Sequence, residues 1–227
     1  YCNGPPPANL KIYCFSDNPT NPYIRKTRPL DTEPVSGLKH YGVNMRAATE
    51  EVSVGGAGWF STKNTAQSHQ PSGTASYGTV LLFDGSVRII GRLGPTSRLT
   101  VVAHGTHTGQ AASIFVYGVP PGQGFTADDW NPVGSSGDPT SSFGAIADGD
   151  IYVQESTACP AGLRGAFVAI GGMLSMDPMY RTGTPGDKPC DPPYANTPGF
   201  TLQGSISAHF PPFMYQGGSQ NGFASRS

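Results

Sequence analysis

The stretch Val80-Leu81-Leu82-Phe83-Asp84-Gly85-Ser86-Val87-Arg88-Ile89-Ile90 decides the fold class. Two short apolar, β-branched runs flank an Asp-Gly pair. Asp-Gly supplies the positive backbone dihedrals of a type I′ turn, whose twist suits two antiparallel strands. The stretch therefore predicts a β-hairpin. Outward from it, residues 10–15, 99–104, 112–119, 150–155, 166–170 and 200–207 carry the same strand signals. Alternation by twos is clearest in Ile151-Tyr152-Val153 and in Thr201-Leu202-Gln203-Gly204-Ser205-Ile206. No stretch keeps a helical period over three turns, and residues 45–52 come nearest. No internal repeat is visible. Many short strands separated by turn signals predict an all-β chain, an antiparallel jelly-roll-like sandwich or barrel with long Gly/Pro-rich loops.

Composition agrees with that class. The chain has 227 residues, with 31 glycines and 22 prolines, enough to make disorder an alternative. Aromatics at 10% and the compact apolar runs argue instead for a folded core. Charged residues make up 13%, about half the usual share. The expected organisation is one β domain over residues 1–215 and a flexible Gly/Ser-rich tail over 216–227.

Charge excludes one class of partner. Fourteen Lys and Arg stand against fifteen Asp and Glu, for a net charge of -1, and the basic residues are scattered. Nucleic-acid binding needs a concentrated cationic footprint, so no nucleic-acid contact is expected. No apolar run reaches the roughly 18 residues of a membrane span, so none is expected. The opening at Tyr1 without an initiating Met is expected of a processed product or an excised domain.

The four cysteines are Cys2, Cys14, Cys159 and Cys190. An even count in a Gly/Pro-rich chain suits an oxidising compartment. Local pairing, Cys2–Cys14 and Cys159–Cys190, is the preferred connectivity; two other pairings, or four free thiols, remain open. No Asn-x-Ser/Thr acceptor with a permitted middle residue occurs. Its absence fits a bacterial secreted protein or a capsid assembled without glycosylation.

Several patterns bear on catalysis and metals. His104-Gly105-Thr106-His107-Thr108-Gly109 resembles the histidine box of subtilisin-like serine proteases, and the resemblance would make His104 the general base. The rest of that pattern is missing. Asp31-Thr32-Glu33 departs from the aspartate box, and Gly73-Thr74-Ala75-Ser76 lies upstream, in the wrong order for a nucleophile box. A serine needs base and orienting acid together, so no catalytic residue is assigned. His104 and His107 could ligate a metal with His69 or His209, but sequence shows no third ligand; Asp148, Asp150, Asp128 and Asp129 lack an EF-hand's spacing, and Asp148-Gly149 reads more simply as a turn. The four glutamates, Glu33, Glu50, Glu51 and Glu155, give no hydrolytic pair on spacing alone. No metal and no cofactor are expected.

Aromatics beside Pro or Gly are the remaining signal: Tyr23, Trp59, Trp130, Tyr180, Tyr194, Phe210, Phe213 and Tyr215. Strands spend their apolar faces on the core, which leaves loop aromatics to meet a partner. Residues 120–149 and 174–198 read as long irregular loops, and loops of that length are usually functional or interfacial. Trp130, Tyr180, Tyr194, Phe210, Phe213 and Tyr215 are the expected binding or assembly residues.

Gly149-Asp150-Ile151-Tyr152-Val153 resembles the Gly-Asp-Leu-Tyr-Val strand of jelly-roll coat proteins of small non-enveloped viruses. Low charge and high Gly, Pro, Ser and Thr are similar too, while the basic inner arm of such coats is missing. The resemblance implies a capsid surface or spike domain, a homo-oligomer on the virion surface, binding a cell-surface glycan or protein receptor. The alternative is a secreted carbohydrate-binding or filament-forming β-sandwich, and after it a secreted polysaccharide hydrolase.

Overall fold

The computed structural model describes residues 2–4, 10–44, 52–55, 67–69, 78–90, 98–116, 142–153, 163–176, 202–211, 215–216 and 219–220. β1 (Lys11–Ser16), β2 (Ile24–Lys26), β3 (Asp31–Thr32), β4 (Lys39–Asn44), β5 (Val52–Gly55) and β6 (Gln67–His69) come first. Then come β7 (Thr79–Phe83), β8 (Ser86–Ile90), β9 (Arg98–Ala103), β10 (Thr106–His107), β11 (Gln110–Ala111) and β12 (Ile114–Val116). β13 (Ser142–Ala147), β14 (Ile151–Val153), β15 (Leu163–Ala169), β16 (Leu174–Met176) and β17 (Leu202–Ala208) follow, with β18 (Tyr215–Gln216) and β19 (Ser219–Gln220) last. The described residues contain no helix, and none long and apolar enough to cross a membrane.

Two sheets hold nearly all of these strands. The first runs β17-β15-β13-β9-β7-β1-β2, and every pairing in it is parallel. The second runs β16-β14-β12-β8-β4-β5-β6. It is parallel from β16 to β4 and antiparallel where β3, β5 and β6 join. From β7 onward the long strands alternate between the sheets: β7, β9, β13, β15 and β17 in the first, β8, β12, β14 and β16 in the second. Each strand lies beside its predecessor in the same sheet, so the chain winds as a two-sheet solenoid. Parallel neighbours need a long crossover, commonly a helix. Here the crossover is a strand of the opposite sheet.

This overturns the antiparallel jelly-roll expectation. The expected hairpin at 80–90 is absent as well. β7 pairs with β1 and β9, β8 pairs with β4 and β12, and the two strands lie in different sheets. Neither Asp84 nor Gly85 has a positive φ. The pair forms an arch from one sheet to the other. Gly85 is required there because a Cβ would lie 2.5 Å from the carbonyl oxygen of Lys39, one coil below. Alternation cannot separate hairpin from arch, since both bury every second residue. A two-residue hairpin does exist, between β10 and β11, with Thr108 at φ 46° and Gly109 at φ 83°.

The inward residues form one core between the sheets. Thr79, Leu81 and Phe83 of β7, Leu99, Val101 and Ala103 of β9, and Phe143, Ala145 and Ala147 of β13 are buried. Val87, Ile89, Ile114, Val116, Ile151 and Val153 meet them from the second sheet. Phe15 and Phe83 stack at 4.9 Å between ring centroids, and Tyr41 tilts onto Phe83 at 5.5 Å. Two segments expected as loops contribute strands: β13 lies within 120–149 and β16 opens 174–198. The coil repeat escapes a sequence search because the segments between its strands differ in length, which leaves no fixed period.

The disulfide Cys2–Cys14 is present and ties the start of the chain to β1. Cys159 and Cys190 lie outside the described residues. Residues 45–51 of the helix candidate also lie outside them, and Val52 opens β5.

Candidate functional site

The solenoid has two edges of unlike construction. At one, strands of the first sheet pass to the second through compact corners. Asp84 and Gly85 join β7 to β8, residues 148–150 join β13 to β14, and residues 170–173 join β15 to β16. The corner from β9 to β12 carries the β10–β11 hairpin. At the other edge, strands of the second sheet return to the first through residues 91–97, 117–141, 154–162 and 177–201. The two longest connections, 117–141 and 177–201, therefore leave and re-enter at this edge, while the 56–66 connection from β5 to β6 leaves at the other. Trp130 belongs to the segment leaving at Val116 and re-entering at Ser142; Tyr180 and Tyr194 belong to the one between Met176 and Leu202.

At the compact edge the parallel ladder continues past the strand ends. The Asp84 N–H donates to the Phe15 carbonyl at 3.3 Å, His104 to Phe83 at 3.0 Å, Asp148 to Ala103 at 3.1 Å and Ile170 to Ala147 at 2.8 Å. This stacks the corners, and their polar side chains lock each coil to the next. Asp84 accepts from Ser16 Oγ at 2.7 Å and from the Tyr41 hydroxyl at 2.5 Å. Asp148 Oδ2 accepts from the Gly105 N–H at 2.8 Å and meets His104 Nδ1 at 2.7 Å. Asp150 accepts from the Met173 N–H at 2.8 Å and from the Tyr152 hydroxyl at 2.7 Å. Lys39 pairs with Asp17 at 2.5 Å.

The candidate catalytic and metal residues disperse in this frame. His104 has an aspartate partner after all, Asp148 rather than Asp31, which sequence could not select because the coil stack brings them together. His107 turns away, its Nδ1 bonded to the Ser36 carbonyl, which also accepts from the Thr108 hydroxyl at 2.9 Å. Asp31 bonds His40 and Arg88 on the outside of the second sheet, with Arg88 Nη1 at 2.7 Å. His209 stands edge-on to Phe210 at 4.6 Å. Among the described residues no group of three His, Cys, Asp or Glu could hold a metal ion. The side chain of His69, and Asp128, Asp129, Glu50, Glu51 and Glu155, lie outside the described residues. Glu33 accepts from the hydroxyl and the N–H of Ser36, which together hold its carboxyl below the usual value.

Two of the six expected binding aromatics, Phe210 and Tyr215, lie among the described residues. Phe210 is exposed just after β17, at the compact edge. Tyr215 pairs with Gln220 through the β18–β19 ladder. Trp130, Tyr180, Tyr194 and Phe213 lie outside the described residues. The second sheet holds an aromatic row that sequence reasoning missed. Arg88, Phe115 and Tyr152 share one register across β8, β12 and β14, and the Phe115 and Tyr152 rings stack at 5.0 Å. Their outward alternation was legible, but their alignment depended on the parallel register.

Comparison with known protein families, curated proteins and solved structures finds no match.

Proposed function

We propose that the chain is a structural attachment module of a particle surface, of the kind borne by non-enveloped viruses. In this reading the solenoid is a rigid rack, and the segments on its long-connection edge recognise a cell-surface glycan or protein. The observation that carries it is the asymmetry of the two edges. In coil-built proteins, insertions collect on one face, and that face is often the binding face. The low charge of the chain favours recognition by ring stacking, shape and backbone hydrogen bonds over electrostatic capture.

The viral setting is supported by composition and the missing glycosylation acceptor. The Gly149–Val153 likeness supports it less, because that strand here belongs to a parallel sheet. The homo-oligomer belongs to the same proposal. The test is binding of the full chain to a glycan array and to cultured cells, with soluble chain as competitor. Saturable, competable binding is expected. Absence of binding on both, or turnover of a polysaccharide, would remove this reading in favour of a filament module or a hydrolase.

A further inference from the structure

The first sheet ends on two edge strands of opposite character. β2 has three residues, and two of them, Arg25 and Lys26, are exposed cations. A short, charged edge resists strand addition. β17 has seven residues, Leu202-Gln203-Gly204-Ser205-Ile206-Ser207-Ala208, with neither charge nor proline. Among the described residues it pairs with β15 alone, and Gly204, Ser205 and Ser207 are exposed. Among the described residues it also extends past the second sheet, which there ends on β16 in the preceding coil. Ile206 and Ala208 continue the core columns of Phe167 and Ala169. Those two are 1% and 2% exposed, whereas Ile206 and Ala208 are only partly buried.

We propose that β17 is the docking edge for a second copy of this chain, paired antiparallel, β17 to β17, about a two-fold axis at Ser205. A head-to-tail contact that continued the first sheet would use the short cationic edge of β2 and would propagate without closing. The two-fold contact uses only the long uncharged edge and closes on itself. Directly opposed residues in an antiparallel pair share a face. The register about Ser205 sets Gly204 against Ile206 of the second copy, so Ile206 meets no side chain there; the Cβ position of Gly204 (φ 141°) is taken by the Gly165 carbonyl of β15. On the outer side Ser205 meets Ser205, and no like charges oppose each other. The first sheet then runs unbroken through both subunits, and the exposed end of the core is covered.

This rests on the homo-oligomer part of the reading above and is separable from receptor binding. The experiment is light scattering and sedimentation on the full chain, at high micromolar concentration. The expected mass is twice the 23.7 kDa of one chain. Ser205→Lys, which sets two cations on the axis, should return the single-chain mass with an unchanged far-UV spectrum. Ser205→Glu should do the same, and mixing the two variants should restore the doubled mass. If either variant misfolds, Ser207→Lys on the same exposed edge replaces it. A single-chain mass for the unsubstituted protein overturns the proposal, including the case in which the chain covers β17 with a segment of its own. An assembly indifferent to Ser205→Lys, or no restoration on mixing, overturns it as well. A monomer that still binds cells would leave the attachment reading standing, and a dimer that binds nothing would leave β17 standing.

Discussion

The Tyr41 hydroxyl donates to Asp84 Oδ1 at 2.5 Å, joining a strand of one coil to the corner of the next. Ser16 Oγ holds the other carboxylate oxygen at 2.7 Å. Burial, and after it the Asp84 carboxylate, push the Tyr41 phenol well above its ordinary value. Asp84 is exposed, so water replaces the lost donor in Tyr41→Phe. The expected cost is that of one hydrogen bond, about 1 kcal/mol. Urea unfolding would measure it, and a gain in stability would contradict the role of this bond.

The same phenol sets an alkaline limit. Below the ordinary tyrosine value, about pH 10, the phenol is protonated in both the folded and unfolded states. Above it the unfolded chain loses the proton while the folded chain keeps it. The stability is therefore full below about pH 10 and falls as pH rises toward the raised folded value. Tyr41→Phe should make that decline shallower. An identical decline in both proteins would show that Tyr41 titrates normally.

Gly85 and Gly109 are glycines for different reasons, and substitution separates them. Gly109 has φ 83° and open space around its Cβ position. Gly109→Asn, which tolerates that dihedral, should cost well under about 1 kcal/mol. At Gly85 the dihedral is ordinary and the obstacle is the Lys39 carbonyl. Gly85→Asn or Gly85→Ala should cost about 1–3 kcal/mol, the usual cost of overpacking. A hairpin at this point would accept asparagine, so a stable Gly85→Asn would speak against the arch.

The Cys2–Cys14 bond closes a loop with a sequence separation of 12 onto a strand whose Cys14 is 3% exposed. Replacing both residues by serine should cost about 2 kcal/mol or more, because the unfolded chain regains the freedom that the bond removed. Thermal unfolding under non-reducing conditions is the measurement. A variant as stable as the parent would mean that the cross-link holds only a peripheral segment.

Much of the fold was legible, and what was missed has definite causes. The strands at 11–16, 98–103, 151–153 and 202–208 were readable because alternation is local. Their parallel order was not, because Asp84-Gly85 serves a hairpin or an arch equally well, and only the partner strand decides. β13 hid in a Gly-rich stretch: Ser142-Phe143-Gly144-Ala145-Ile146-Ala147 has weak strand propensity, and it is the neighbours β9 and β15 that hold it extended. The His104–Asp148 pair was invisible for the same reason, since stacking of successive coils makes it. The Cys2–Cys14 bond was readable because both residues are close in sequence.

Trp130 and Phe210 test whether recognition belongs to one edge. Trp130 lies in the sequence connecting β12 to β13, while Phe210 follows β17 at the compact edge. The Phe210 N–H donates to the Gly172 carbonyl at 3.1 Å, which fixes its backbone to the preceding corner. If the long-connection edge carries recognition, Trp130→Ala should weaken receptor binding substantially. Losing a central aromatic anchor costs about 2 kcal/mol or more, roughly thirtyfold in affinity. Tyr180→Ala and Tyr194→Ala, on the connection that returns to β17, should weaken it in the same direction. Phe210→Ala should leave binding nearly unchanged, because rim and distant positions contribute little. Far-UV spectra should stay those of the parent in all four variants. Equal losses from Trp130→Ala and Phe210→Ala would mean that both edges meet the partner. Normal binding by Trp130→Ala, Tyr180→Ala and Tyr194→Ala together would remove the long-connection edge as the recognition surface.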